Sequence, residues 1–160
     1  KRNVLLLGPS GVGKSHIAQA LGHRACLVGH KVLYVAAPDM FRQLRAARGD
    51  GSYERRLLRF TTPDLLIIDD LGLRALKQDE PIDLYDIIRL RYERGSTIIT
   101  SNRALEELPS IFGDPLLSSA AMDRLLDDAH IVVIEGDSFR NPPKEKRQAK
   151  TKARRKKETA

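Results

Sequence analysis

One run of eight residues, Gly8-Pro9-Ser10-Gly11-Val12-Gly13-Lys14-Ser15, has the residue types and spacing needed to grip a phosphate. It fits the pattern G-x-x-x-x-G-K-[ST], in which glycines let the backbone curl until successive N–H groups point at one anion. The N-terminus of the following helix adds its own partial positive charge, and His16 next to the pattern is counted with it as a nucleotide-binding candidate. In such a loop Lys14 bridges the β- and γ-phosphates of a nucleoside triphosphate, and Ser15 offers its hydroxyl to Mg²⁺. A second, acidic element must complete the magnesium shell. Leu65-Leu66-Ile67-Ile68-Asp69-Asp70 supplies it, with four apolar residues followed by two carboxylates. Asp69 is the better candidate for the metal shell. Asp70 could polarise an attacking water, or serve as a solvated loop acid or helix cap. Asn102, just after the run TIITS, could touch the γ-phosphate or be an ordinary turn residue. Arg124 and Arg140 could each meet the charge that develops on the γ-phosphate, in cis or from a neighbouring subunit. Either could equally pair with Asp127 and Asp128, and both readings stay open at this point.

These residues need a frame that brings them together. Five short apolar runs recur along the chain: Val4–Leu7, Val32–Ala36, Leu65–Asp69, Thr97–Ser101 and Ile131–Glu135. Continuous apolar runs predict strands buried on both faces, hence a parallel sheet covered by helices. Between them Ile17, Leu21, Ala25 and Val28 are spaced as one apolar helix face, with Gly29 as its stop. Leu84, Ile87, Ile88 and Tyr92 form another, ending at Gly95. Asp114-Pro115 reads as the start of a third helix with the stripe Leu117, Ala121 and Leu125. Alternating strand and helix predicts a three-layer α/β domain over residues 1–143, with ligands at the C-terminal edge of its sheet. The composition changes near Asn141-Pro142-Pro143, where the domain is expected to end.

Charge sharpens that boundary. The chain of 160 residues carries a net charge of +7. Residues 144–160 hold nine of its 28 basic and two of its 21 acidic groups, which leaves 19 of each sign in residues 1–143. The domain is neutral and the tail is a polycation. A tail so poor in apolar residues is expected to be disordered, and to bind phosphate polyanions without reading sequence or simply to aid solubility. No apolar run approaches the roughly 18 residues of a membrane span. A single cysteine, Cys26, excludes an internal disulfide, and a cytoplasmic location fits. Cys26 itself is expected to be a small buried hydrophobe. His16, His23 and His30 fall seven apart but share no carboxylate, so they are read as surface or helix-end residues and not as metal ligands. The chain opens on Lys1, shows no signal peptide and is expected to be a fragment of a longer chain or one that lost its front end.

Residues 1–143 resemble the AAA+ domain of the IstB-like ATP-binding proteins, the transposition helpers of certain insertion sequences and relatives of the DnaC-type helicase loaders. The resemblance lies in GPSGVGKSHIAQAL, DLLIIDDLG, TIITSN, the FGDP…MDRLL stretch and IEGDSFRNPP, in that order. It implies a P-loop NTPase of the ASCE type with a five-stranded, mostly parallel sheet. It also implies Mg²⁺-dependent ATP hydrolysis at subunit interfaces, homo-oligomers on double-stranded DNA, and delivery of target DNA to a partner transposase. Lys14 and Ser15 then match the Walker A pair and Asp69 the Walker B aspartate. Asp70 stands where most AAA+ proteins have glutamate. Asn102 matches sensor 1, Arg124 the arginine finger and Arg140 the sensor 2 arginine. Family members normally carry an N-terminal region ahead of the Walker A strand, which this sequence does not show.

Residues 40–60 hold six arginines against Asp50 and Glu54. Arg42, Arg45 and Arg48 are spaced three apart, so one helix would display a basic ridge. In related initiators and loaders an element here faces DNA, which makes these three arginines candidates for phosphate contact; the alternative is a solvated face with local salt bridges. A helicase loader would use the same site with a different partner. A small-molecule kinase would leave Asp69, Asp70 and Asn102 together unexplained, and a non-hydrolysing ATP-binding module is the remaining alternative.

Overall fold

The computed structural model describes residues 1–140; the expected domain end at 141–143 and the basic tail at 144–160 lie outside the described residues. Five strands form one sheet: β1 (Val4–Leu7), β2 (Val32–Ala36), β3 (Leu65–Leu71), β4 (Ser96–Ser101) and β5 (His130–Val133). Their spatial order is β2-β3-β4-β1-β5, and every pairing is parallel. Between them run α1 (Lys14–Leu27), α2 (Ala37–Gly49), α3 (Tyr53–Thr61), α4 (Glu80–Arg91) and α5 (Pro115–Leu126), with a 3₁₀ segment at Leu105–Phe112.

The side-chain alternation of the strands divides the core in two. Leu5, Leu7, Leu66, Ile68 and Ile99 point to one face and pack with α2, α3, α4, α5 and the 3₁₀ segment. Leu6, Leu65, Ile67 and Ile98 point to the other, where they meet Ala18 of α1. One helix thus covers one face and four cover the other. Burial on both faces holds for the central strands β1, β3 and β4 but not for the edges: all four residues of β5 are exposed and β2 is only partly covered.

Of the apolar stripe expected on α1, only Ala25 packs against the sheet. Ile17, Leu21 and Val28 are exposed, whereas Ala18 and Gly22 are buried. The helix lies so close to the sheet that a Cβ on Gly22 would come within 2.7 Å of Ile67 Cδ1. Small residues, not large ones, therefore face inward. Cys26 falls on the outward side and is exposed, contrary to its expected burial.

The α4 and α5 stripes behave as their spacing predicts. Leu84, Ile87 and Ile88 are buried, although α4 stops at Arg91 and Tyr92 at its C-cap is exposed. Asp114 caps α5 by accepting from the Leu117 amide at 2.8 Å. Ala121 and Leu125 of that helix are buried. Arg91, at 1% exposure, ties the end of α3 to the starts of β3 and β4. It donates to the carbonyls of Phe60, Thr61, Pro63, Asp64 and Ser96 and to the Thr97 hydroxyl. Burial pushes its guanidinium down to about 10, with Asp64 opposing, so it stays charged at neutral pH.

Candidate active site

The phosphate-loop pattern sits between β1 and α1 at the C-terminal edge of the sheet. Backbone bonds on both sides hold it there: Gly8 N–H donates to Ser101 O at 3.2 Å, and Phe139 N–H donates to Gly11 O at 2.9 Å. Two of its glycines are required by geometry. Gly8 has φ +143° and a Cβ there would lie 2.1 Å from Ile134 O; Gly11 has φ +85° and its Cβ would meet Ser138 Oγ at 2.1 Å. Lys14 is buried and its ammonium donates to Gly8 O, Pro9 O and Asn102 Oδ1, each at 2.7 Å. Burial pushes that ammonium below its ordinary value, Asp70 and Asp69 pull it back up, and Arg140 adds to the downward push.

The acidic pair is placed by an irregularity in the sheet. Ile68 of β3 pairs with Ile99 of β4, but the next match is Leu71 with Ser101, so β3 carries one residue more than its neighbour. Asp70 sits in this bulge with a left-handed φ of +58°. The result separates two adjacent carboxylates: Asp69 is buried in the sheet and Asp70 is half-buried at the cleft. Asp69 accepts the Thr100 hydroxyl on Oδ1 and the Tyr34 hydroxyl on Oδ2, both at 2.5 Å. The Asp70 amide in turn donates to Thr100 Oγ1 at 2.9 Å.

A cleft of about 460 Å³ joins the loop to Asp70, while Asp69 lies behind it in the sheet. Its walls include the loop residues Ser10, Gly11, Val12, Gly13, Lys14 and Ser15, then His16, Asp70, Asn102 and Arg140. Gly8 and Pro9 complete the loop from behind through their carbonyls to Lys14. The sequence reading missed Tyr34 and Thr100. Neither belongs to a phosphate-loop pattern, and only the strand order β2-β3-β4 brings them to Asp69.

Arg124 is not part of this cleft. It lies on α5 beside a separate hollow near the N-terminal ends of β1 and β4, with Asn3, Gly95 and Tyr92. Its guanidinium donates to Ala120 O at 2.7 Å and sits 5.7 Å from the centre of the Tyr85 ring. Asp127 and Asp128, the alternative partners, take the Tyr92 hydroxyl and Arg2 instead.

The basic ridge divides along α2. Arg42 is exposed and pairs with Asp39, at 2.8 Å. Arg45 is largely exposed but reaches Glu80 at 2.9 Å. Arg48 is drawn inward: it meets both oxygens of the buried Asp83, at 2.9 and 2.6 Å, and stacks over Tyr53. Asp83 and its hydrogen bond hold Arg48 firmly charged, so Arg48 joins α2 to α4. Arg55 and Arg59 of α3 are exposed.

Among the described residues no helix is long and apolar enough to cross a membrane. A model of the family described as IstB-like ATP binding protein matches residues 1–149. A putative insertion sequence ATP-binding protein of Sinorhizobium fredii is 43% identical over 144 residues, covering 90% of this chain and 59% of that protein. The IS21 putative ATP-binding protein of Pseudomonas aeruginosa is 38% identical over 147 residues, covering 92% and 55%. The chain thus spans under two thirds of the length of these relatives. The DnaC helicase loader has a similar structure, with a TM-score of 0.71 and 25% identity over 84% of this chain and 78% of that one. AMPPCP-bound DnaA from Aquifex aeolicus matches at TM-score 0.71 and 26% identity, over 87% and 42%. The fold is therefore the α/β P-loop NTPase fold shared with DnaC and DnaA.

Proposed function

The chain belongs to the family of IstB-like ATP binding proteins, and from that premise we propose that it is the ATPase domain, residues 1–143, of a DNA-dependent transposition helper. One observation carries the reading. Lys14, Asp70, Asn102 and Arg140, which lie far apart in sequence, line a single cleft at the edge of a parallel sheet. In this reading the loop amides and Lys14 hold the β- and γ-phosphates of ATP. Asp70 takes a proton from, or orients, the attacking water, and Asn102 and Arg140 face the γ-phosphate.

Ser15 and Asp69 would hold Mg²⁺. Hard oxygen donors of this kind suit that ion, and the Asp69 carboxylate accepts its two hydrogen bonds from hydroxyls. When bound, the ion neutralises charge on the β- and γ-oxygens. Arg124 lies outside the cleft of its own chain, which supports the role of an arginine finger acting on a neighbouring subunit's ATP in a homo-oligomer.

Arg42 and Arg45, with Arg55 and Arg59, present exposed cations on the α2–α3 side and contact the phosphates of double-stranded DNA without reading bases. Arg48 completes that ridge from within, by fixing α2 upon α4. The basic residues 144–160 add non-specific attraction to the same polyanion. The relatives named above come from insertion sequences, which favours a cytoplasmic role in handing target DNA to a transposase over helicase loading.

The test is the steady-state ATPase rate per subunit against protein concentration, with and without duplex DNA. The rate is expected to rise with both, and to vanish in Lys14→Ala and in Arg124→Ala. A rate indifferent to concentration and to DNA overturns the reading.

A further inference from the structure

Two uncharged side chains, Tyr34 of β2 and Thr100 of β4, flank Asp69 from the neighbouring strands. Asp69 is opposite Ala36, so Tyr34 lies on its diagonal, two residues back on the same face of the sheet. Thr100 is opposite Leu6, which shares that face. We propose that Tyr34 and Thr100 are positioning residues for the acidic pair, orienting the Asp69 carboxylate toward a nucleotide-bound divalent cation, with Thr100 also fixing the backbone of Asp70. The inference rests on the reading of the cleft as an ATP site.

The direction of each hydrogen bond follows from chemistry. The Asp70 amide can only donate, so Thr100 Oγ1 accepts from it at 2.9 Å. The Thr100 proton then goes to Asp69 Oδ1 at 2.5 Å. One hydroxyl thus fixes a side chain and the left-handed backbone beside it. Thr100 is fully buried, so its hydroxyl is shielded from bulk solvent. Tyr34 donates to the other oxygen, Oδ2, at 2.5 Å. Burial and this bond to Asp69 raise the phenol above its ordinary value, while a hydrogen bond with Gln19 of α1 lowers it.

The choice of donors matters. A lysine or arginine against Asp69 would fix it equally well but would cancel the charge that attracts a divalent cation. Hydroxyls orient the carboxylate without adding a second cation beside the Lys14 ammonium, which already interacts with it. Each carboxylate oxygen accepts one hydroxyl and retains a further lone-pair direction for a donor such as cation-bound water.

The full 160-residue chain is titrated with a fluorescent ATP analogue across a series of Mg²⁺ concentrations and in EDTA. Tyr34→Phe is expected to need about 10-fold more Mg²⁺ for half of the metal-dependent gain in affinity, with affinity in EDTA unchanged. Thr100→Val is expected to show at least that shift, and Thr100→Ser to restore it. Metal curves that overlay the wild type in folded variants, with only the melting temperature moved, overturn the proposal and leave the two residues structural. Should Thr100→Val fail to fold, Tyr34→Phe decides, since Tyr34 is 41% exposed and loses a single hydroxyl. A wild-type chain that binds no nucleotide with or without Mg²⁺ would instead sink the ATP-site reading, and this inference with it.

Discussion

Glu80 shows how much of this molecule is decided at single side chains. Its carboxylate is buried at the start of α4 and accepts from Arg74 on both oxygens, from Arg45 and from the Lys77 amide. The Arg74 hydrogen bond is the largest influence holding it below the usual carboxylate range, against an opposing push from burial. A carboxyl depressed in the folded state stabilises the fold above its unfolded pKa of about 4.3, and loses that contribution as pH falls toward the native value. Glu80→Gln is therefore expected to lower the urea midpoint most at pH 7, with the deficit shrinking below pH 4. A deficit of equal size at both pH values would show that packing, not charge, is what Glu80 provides. Legibility at this scale was uneven. The loop glycines and Lys14 stand out by local spacing, whereas Asp70, Asn102 and Arg140 stay open on spacing and are singled out by the resemblance carried in DLLIIDDLG, TIITSN and IEGDSFRNPP. Tyr34 and Thr100 stand out by neither, because nothing in VLYVA or TIITS says which strands lie beside β3.

At the scale of elements, the strands and the α4 and α5 helices followed their apolar patterns to within a few residues, but α1 did not. Its large apolar residues face outward because Ala18 and Gly22 let the helix approach the sheet. A pattern read by residue size alone inverts such a helix. The basic stretch 40–60 likewise folds as two helices, parted at Asp50–Ser52, where Asp50 accepts from the Ser52 amide and hydroxyl. Arg91 is the element-scale bond with the largest expected effect. Its guanidinium satisfies carbonyls at the end of α3 and at the approach to β3 and β4, and Gly95 leaves room for it, with a Cβ there only 2.6 Å from Nη2. Arg91→Leu strands several buried acceptors and is expected to destabilise the fold by about 3 kcal/mol or more. Chemical denaturation measures it, and a loss below about 1 kcal/mol would mean that water reaches those carbonyls.

Over the whole molecule, arginines are exposed on several elements, and those of α2 and α3 are Arg42, Arg45, Arg55 and Arg59, while the cleft opens at the C-terminal edge of the sheet. If Arg42 and Arg45 contact phosphates, neutralising both should flatten the log-log salt dependence of duplex binding by about 2. Arg48→Gln should instead lower stability and leave that slope nearly unchanged, because its guanidinium is spent on Asp83. A slope unaltered by the double substitution would remove α2 from the DNA-binding surface. The same distinction explains why the ridge could be read from spacing and its division could not: Glu80 and Asp83 come from a helix that starts 32 residues after Arg48.

The three hydrogen bonds that Lys14 makes to Gly8, Pro9 and Asn102 have a thermodynamic consequence. The loop holds its shape by satisfying its own cation, so the entropy of ordering it is spent during folding and not at the encounter with ligand. In the proposed ATP site, association would be an exchange in which phosphate oxygens displace existing acceptors. Its heat is smaller than a count of new contacts suggests, and its entropy is less adverse than that of a loop that must first be assembled.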